Sequence, residues 1–139
     1  MPKEIIASAD APAAVGPYSQ AVRAGDWVYL SGQIPLDPQS GKPVTGDIKE
    51  QTRRVIENLK AVLCAAELTL DDVVKVTVYL RDMDDFAGMN EAYAEYFSES
   101  PPARACIQAA ALPKGAAVEM DAVAFPGSEL PPAVGTYLV

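Results

Sequence analysis

Val73-Val74-Lys75-Val76-Thr77-Val78-Tyr79-Leu80-Arg81 alternates apolar and polar side chains along its length. A period of two is that of a strand with one buried face. The spacing predicts Val74, Val76, Val78 and Leu80 on one side and Lys75, Thr77, Tyr79 and Arg81 on the other. On either side of this strand the period changes. Upstream, Ile48, Thr52, Val55, Ile56, Leu59, Val62, Leu63 and Ala66 recur every three or four residues, which predicts a helix over 48–66. Asp47 suits its N-cap, with Glu50 three residues on, as in a capping box. Downstream, Phe86, Met89, Tyr93, Tyr96 and Phe97 predict a second helix over 85–98, capped by Asp84 or Asp85 and stopped by Pro101-Pro102.

Further out lie shorter strands. Residues 19–24 and 27–31 flank Gly25-Asp26, a tight-turn pair. Residues 104–110 and 117–125 flank Ala111 to Gly115, which reads as a hairpin loop. Residues 35–47 hold three prolines and two glycines and form a surface loop. The order β-β-α-β-α-β-β predicts an α+β domain, one mixed sheet with both helices on one face. Valine-rich strands left bare on the other face call for partner subunits.

The chain has 139 residues, enough for one domain with its own core. No apolar run of membrane-spanning length is present, and residues 1–8 hold no secretory signal, so a cytoplasmic protein is expected. The net charge is -8, a field that opposes nucleic acid and anionic membrane. Two cysteines, Cys64 and Cys106, are too few for a disulfide framework. There is no histidine, which excludes Ser-His and Cys-His pairs and His-containing metal sites. Chemistry here must come from carboxylates, Arg, Lys, Tyr, Ser, Cys, backbone groups and water.

The last two strands carry the most suggestive set. Arg104, Cys106 and Gln108 share a strand face, and a hairpin centred near residue 112 would put Glu119 opposite Arg104 or Cys106. An arginine, a thiol and a carboxylate would then form one patch. On the residues alone, a plain cross-strand ion pair is the simpler account of Arg104 and Glu119. The chemical reading is that arginine grips a substrate carboxylate while glutamate positions or deprotonates a water. Cys106 reads as a small buried hydrophobe, and Cys64 as helix packing. Tyr18 is a surface aromatic or a cleft-lining donor. Gly32, in Ser31-Gly32-Gln33, suits an unusual backbone angle. Asn90 is solvated or closes a polar contact.

Taken in order, these segments resemble the Rid family, the reactive intermediate deaminases of RidA/YjgF type. The matching pieces are Ala14 to Ala21, Leu30 to Pro35, Gln51 to Leu59, Val74 to Leu80, and Phe86–Asn90–Tyr93–Phe97. Pro102 to Cys106, Leu112 to Gly115 and Val118 to Ala122 complete them. The resemblance covers nearly all of residues 3–125, so 1–125 is expected to be one domain and 126–139 a tail outside it. It implies a chorismate-mutase-like fold and a homotrimer with a central barrel of sheets and a cleft between each pair of subunits. It also implies hydrolysis of 2-aminoacrylate-type enamines and their 2-imino tautomers to 2-keto acids and ammonia, with no metal or organic cofactor. Such species leak from pyridoxal-phosphate enzymes, the implied functional partners. By the resemblance Arg104 binds the substrate carboxylate, the backbone at Cys106 meets the imine nitrogen, and Glu119 holds the attacking water. Tyr18, Ser31 and Gly32 line the cleft, with Asn90 near it. Ser98 to Pro102 is shorter than is typical of the family's deaminases, which implies an altered cleft rim. Two alternatives stand beside this reading: a ribonuclease, and a module that binds a small carboxylate or chaperones exposed chains.

Overall fold

The computed structural model describes residues 2–127. Six strands form one mixed sheet: β1 (Glu4–Ile6), β2 (Ala21–Ala24), β3 (Trp27–Gln33), β4 (Val73–Leu80), β5 (Ala103–Gln108) and β6 (Val118–Ala124). Two helices, α1 (Ile48–Ala65) and α2 (Phe86–Ala94), follow β3 and β4. The strand order across the sheet is β1-β2-β3-β6-β4-β5. The predicted α+β class, the mixed sheet and the two helices are all present. Strand β1 is an addition that three residues gave no period to reveal.

The expected terminal hairpin does not form. Strand β4 lies between β5 and β6, pairing parallel with β5 and antiparallel with β6. Helix α2 makes the crossover from β4 to its parallel neighbour β5, as parallel pairing requires. The chain then passes over β4 through a 3-10 turn at Pro113–Gly115 and returns as β6. β4 is thereby paired on both edges, inside the sheet, one strand in from the β5 edge.

Alternation along β4 holds from Val76 onward, with Val76, Val78 and Leu80 fully buried. It fails at Val74, which is 42% exposed, while Val73 is buried in its place. A register irregularity between Val73 and Lys75 in the pairing with β6 accounts for this: a bulge shifts which residue faces inward.

Helix α1 starts where predicted. The side chain of Asp47 accepts from the backbone N–H of Glu50 at 3.0 Å. Its buried face, Thr52, Val55, Ile56, Asn58, Leu59, Val62 and Leu63, includes six of the eight residues in the predicted stripe. Ion pairs Lys49–Glu91 (2.7 Å) and Arg53–Glu95 (2.8 Å) tie α1 to α2 on the solvent side. Beneath them, Met89, Tyr93 and Phe97 join the core formed with β4 and β6. Among the described residues no helix covers the other sheet face. It exposes Ile5, Trp27, Tyr29 and Ile107.

Asn58 is the buried polar residue that fixes the loop after β3. Its Nδ2 donates to the carbonyls of Ile34 (3.3 Å) and Leu36 (3.0 Å), and its Oδ1 accepts from the Arg54 guanidinium. An unpaired buried carbonyl costs more than a bond gains. Asn58→Ala is therefore expected to lower stability by about 1–3 kcal/mol, read as a drop in the urea midpoint at unchanged slope. A change below about 0.5 kcal/mol would show that the loop is held by something else.

Candidate functional site

Strand parity decides where each candidate stands. Glu119 lies opposite Tyr79, and Tyr79 opposite Ile107, all on the uncovered face. Arg104 lies opposite Val76, and Val76 opposite Ala122, on the helix-covered face. Cys106 follows Arg104, level with Val78 and Met120. Within one chain, Arg104 and Glu119 therefore leave opposite faces of the sheet. The single patch expected from a hairpin does not exist, and neither does the cross-strand ion pair. Among the described residues, neither group takes part in an ion pair.

What forms instead is two separate half-sites. The first is a cavity of about 360 Å³ lined by Tyr18, Ser31, Gly32 and Glu119, with Ile34 and Leu36 on its apolar side. Four of the predicted residues thus gather here. Ser31 Oγ donates to the carbonyl of Ser19 at 2.6 Å, pinning the turn that carries Tyr18. Tyr18 Oη accepts from the backbone N–H of Val15 at 3.3 Å. Gln20, which composition did not single out, is buried beside them. Its amide exchanges bonds with Ser8 and donates to the carbonyl of Pro12 at 2.8 Å, holding the cavity wall.

Gly32 is not there for its backbone angle. The left-handed glycines are Gly25, Gly41, Gly46 and Gly115. At Gly32 an added methyl would overlap Oε2 of Glu119 and come within 3.0 Å of its Cδ. The glycine leaves room for a carboxylate lying across the backbone. A bulge between Leu30 and Gln33, where three steps on β3 meet two on β6, opens this stretch. Burial pushes the Glu119 carboxyl above the usual glutamate range, and the nearby Asp121 charge adds to the rise.

The second half-site is an arginine on an aromatic shelf. The Arg104 guanidinium sits 4.8 Å from the Tyr93 ring centroid and 5.6 Å from that of Phe86. One guanidinium nitrogen is 4.0 Å from the Met89 sulfur. Phe86, Asn90 and Tyr93 lie four and three residues apart on α2, so they share its face toward β5. The Tyr93 hydroxyl is buried without a hydrogen-bond partner, and burial pushes it up to about 12, with Arg104 pulling the other way. The Cys106 thiol is also raised by burial, again opposed by Arg104, so it stays protonated at neutral pH and is no ready nucleophile. From sequence Phe86 and Tyr93 read as members of the apolar stripe of the second helix. A cation beside an aromatic helix stripe was the available signal.

β5 is an edge strand, so backbone groups on its free side have no partner in the described chain. A guanidinium without a carboxylate and an edge with free backbone groups suit a small carboxylate ligand with a polar head. The cavity around Glu119 suits water held by a base. Among the described residues no helix is long and apolar enough to cross a membrane.

Known proteins share this architecture and much of its sequence. The family model described as Endoribonuclease L-PSP matches residues 8–125. A RutC family protein of Pyrococcus horikoshii is 56% identical over 123 residues, 88% of this chain and 98% of the relative. The 2-iminobutanoate/2-iminopropanoate deaminase of Mus musculus is 48% identical over 125 residues, 90% of this chain and 93% of the relative. Among solved structures, RidA from an Antarctic Psychrobacter matches with a TM-score of 0.85 at 48% identity, covering 88% of this chain and 98% of that one. Escherichia coli TdcF with bound serine matches with a TM-score of 0.84 at 42% identity and the same coverage. With its fold, its sequence and the family model in agreement, the chain belongs to the Endoribonuclease L-PSP family, that of the RutC and Rid proteins.

Proposed function

We propose that the protein hydrolyses reactive 2-enamine and 2-imino acids to 2-keto acids and ammonia, in a cleft shared by two copies of the chain in a cytoplasmic homotrimer. The observation that carries this is the separation of the half-sites. Among the described residues Arg104 pairs with no anion and Glu119 with no cation, and they lie on opposite faces of one sheet. A second copy that brings its Arg104 edge to the first copy's Glu119 cavity supplies what each lacks. The deaminase name of the mouse relative supports the substrate class. The uncovered face with Trp27, Tyr29 and Ile107 supports burial against other copies.

The chemistry asks little of the protein. Arg104 holds the substrate carboxylate by paired charge-assisted bonds, oriented by its aromatic shelf. The backbone at Cys106 meets the imine nitrogen, and Asn90, Tyr18, Ser31 and Gly32 shape the cleft around it. Glu119 takes a proton from water as the oxygen bonds to C2, the C=N pair moves onto nitrogen, and the nitrogen takes a proton from solvent. The glutamic acid then returns its proton to the amine, the C–N bond breaks with its pair going to nitrogen, the hydroxyl proton returns to solvent as the carbonyl forms, and keto acid and ammonia leave. General base catalysis of this kind contributes about 10²–10⁴ in rate, and no nucleophile, metal or organic cofactor is required. The substrates are products of pyridoxal-phosphate eliminations, so enzymes of that type are its functional partners.

Three measurements test this reading. Added to a dehydratase acting on serine or threonine, the protein is expected to accelerate keto-acid release. Arg104→Ala is expected to lose about 10–150-fold of that acceleration, the worth of a charged hydrogen bond. An unchanged rate would remove Arg104 from the site, and RNA cleavage that persists through purification would point to a ribonuclease instead.

Arg104→Ala and Glu119→Gln, each impaired alone, are expected to regain activity when co-assembled, at about a quarter of the sites by random pairing. Mixed trimers without activity would show that both groups act within one chain.

Gly32→Ala is expected to push the Glu119 carboxylate aside and lower turnover on the order of 10²-fold, because small misplacements of a reacting group are costly. Its melting temperature should move little, since the flexible end of the glutamate can give way. Full activity in that variant would show that the carboxylate need not lie over the Gly32 backbone.

A further inference from the structure

A second carboxylate accompanies Glu119 on the uncovered face. Glu119 and Asp121 are two residues apart on β6, so their side chains leave the same face, with Cα atoms roughly 7 Å apart. On β4, Tyr79 stands opposite Glu119 and Thr77 opposite Asp121. The Tyr79 hydroxyl crosses this ladder diagonally and donates to Asp121 Oδ2 at 2.8 Å. Asp121 is thereby tied to the residue that neighbours Glu119. Among the described residues of the same chain, the other elements around Glu119 bring no compensating cation; in the proposed assembly the cation that approaches is Arg104 of a second copy, paired with the substrate carboxylate. β3 gives Ser31 and Gly32, the preceding turn gives Tyr18, the loop before β6 gives Pro113, and β5 gives Ile107. Lys75, two steps along β4 from Thr77, makes no ion pair with either carboxylate.

We propose that Asp121 is a positioning residue for the hydrolysis: a fixed negative charge, anchored by Tyr79, that sets how tightly Glu119 holds the proton it takes from water. The proposal rests on Glu119 acting as the base. Asp121 itself lines no part of the cavity and takes no proton from substrate. Its effect is electrostatic, disfavouring a second negative charge on the same face. Both neighbours respond in the expected sense. Glu119 is raised first by burial and then by Asp121. Tyr79 is raised first by its bond to Asp121, so it keeps its proton and remains the donor. A base that binds its proton more tightly removes one from water more readily, provided it is ionised at working pH.

The test is the pH profile of kcat/KM. Asp121→Asn keeps an oxygen for Tyr79 and removes the charge. The carboxyl of Glu119 should then lose its proton at lower pH, so the acid limb should move to lower pH and the plateau should fall a few-fold. Asp121→Glu restores the charge and should return the limb toward the wild-type position. A role confined to folding or assembly would lower the plateau and leave the limb in place, and that result overturns the proposal. If Asp121→Asn does not fold, Tyr79→Phe releases only the tether and should shift the limb the same way by less; an unmoved limb there is equally fatal. Glu119→Gln separates the two layers of the argument. Normal turnover in that variant would refute the base itself. An inactive Glu119→Gln with an unmoved limb in Asp121→Asn would refute only the part assigned to Asp121.

Discussion

A β-strand sends alternate side chains to opposite faces, and this sheet has helices on only one of them. Most features of the site follow from that constraint. Val76, Val78 and Leu80 on β4, with Val118, Met120 and Ala122 on β6, are committed to the covered face, where α1 and α2 complete the core. Glu119, Asp121 and Tyr79 must then face the other way. On β5 the same parity sends Arg104 and Cys106 toward α2 and Ile107 outward. A one-residue slip in either pairing would exchange core and surface at every position, so the hydrophobic pattern fixes the placement of the charged groups as firmly as that of the valines.

The charged groups stand where the fold alone gains little from them. Glu119 is partly buried beside a like charge, which disfavours its ionised form, and Gly32 gives up a side chain to make room for it. Arg104 is laid against Tyr93, Phe86 and Met89, with no carboxylate among the described residues to neutralise it. An apolar residue at either position would satisfy the sheet as well. Departures of this kind, where local stability is given up without a structural return, mark sites kept for chemistry.

Much of the fold was legible because its longest elements have strong periods. The stripe from Ile48 to Leu63 and the alternation from Val76 to Leu80 are each set by burial along one element. Val74 misled because a bulge is a pairing defect with β6, invisible in β4 alone. The terminal hairpin misled for a related reason. Strands close in sequence suggest direct pairing, whereas β4 with α2 and β5 forms a parallel β-α-β unit that takes β4 as the partner of both. The residues of the site were therefore readable as types in an ordered set of segments, but their grouping was not. Tyr18, Ser31, Gly32 and Glu119 meet in one cavity, and Arg104 and Cys106 meet elsewhere, because tertiary pairing and not sequence distance decides who shares a face.

The two half-sites carry opposite charge, and each is poorly compensated within its own chain. This gives association between copies an electrostatic component as well as an apolar one. Trp27, Tyr29 and Ile107 offer area that water disfavours. A guanidinium approaching the Glu119 cavity would relieve the repulsion between Glu119 and Asp121, and the carboxylate would relieve the isolation of Arg104. A small anionic substrate enters the same balance, because its carboxylate can take the place of a protein anion beside Arg104. Bound there, it would screen the arginine and leave Glu119 under the influence of Asp121. The base would then be strongest when substrate is present, without any movement of the backbone.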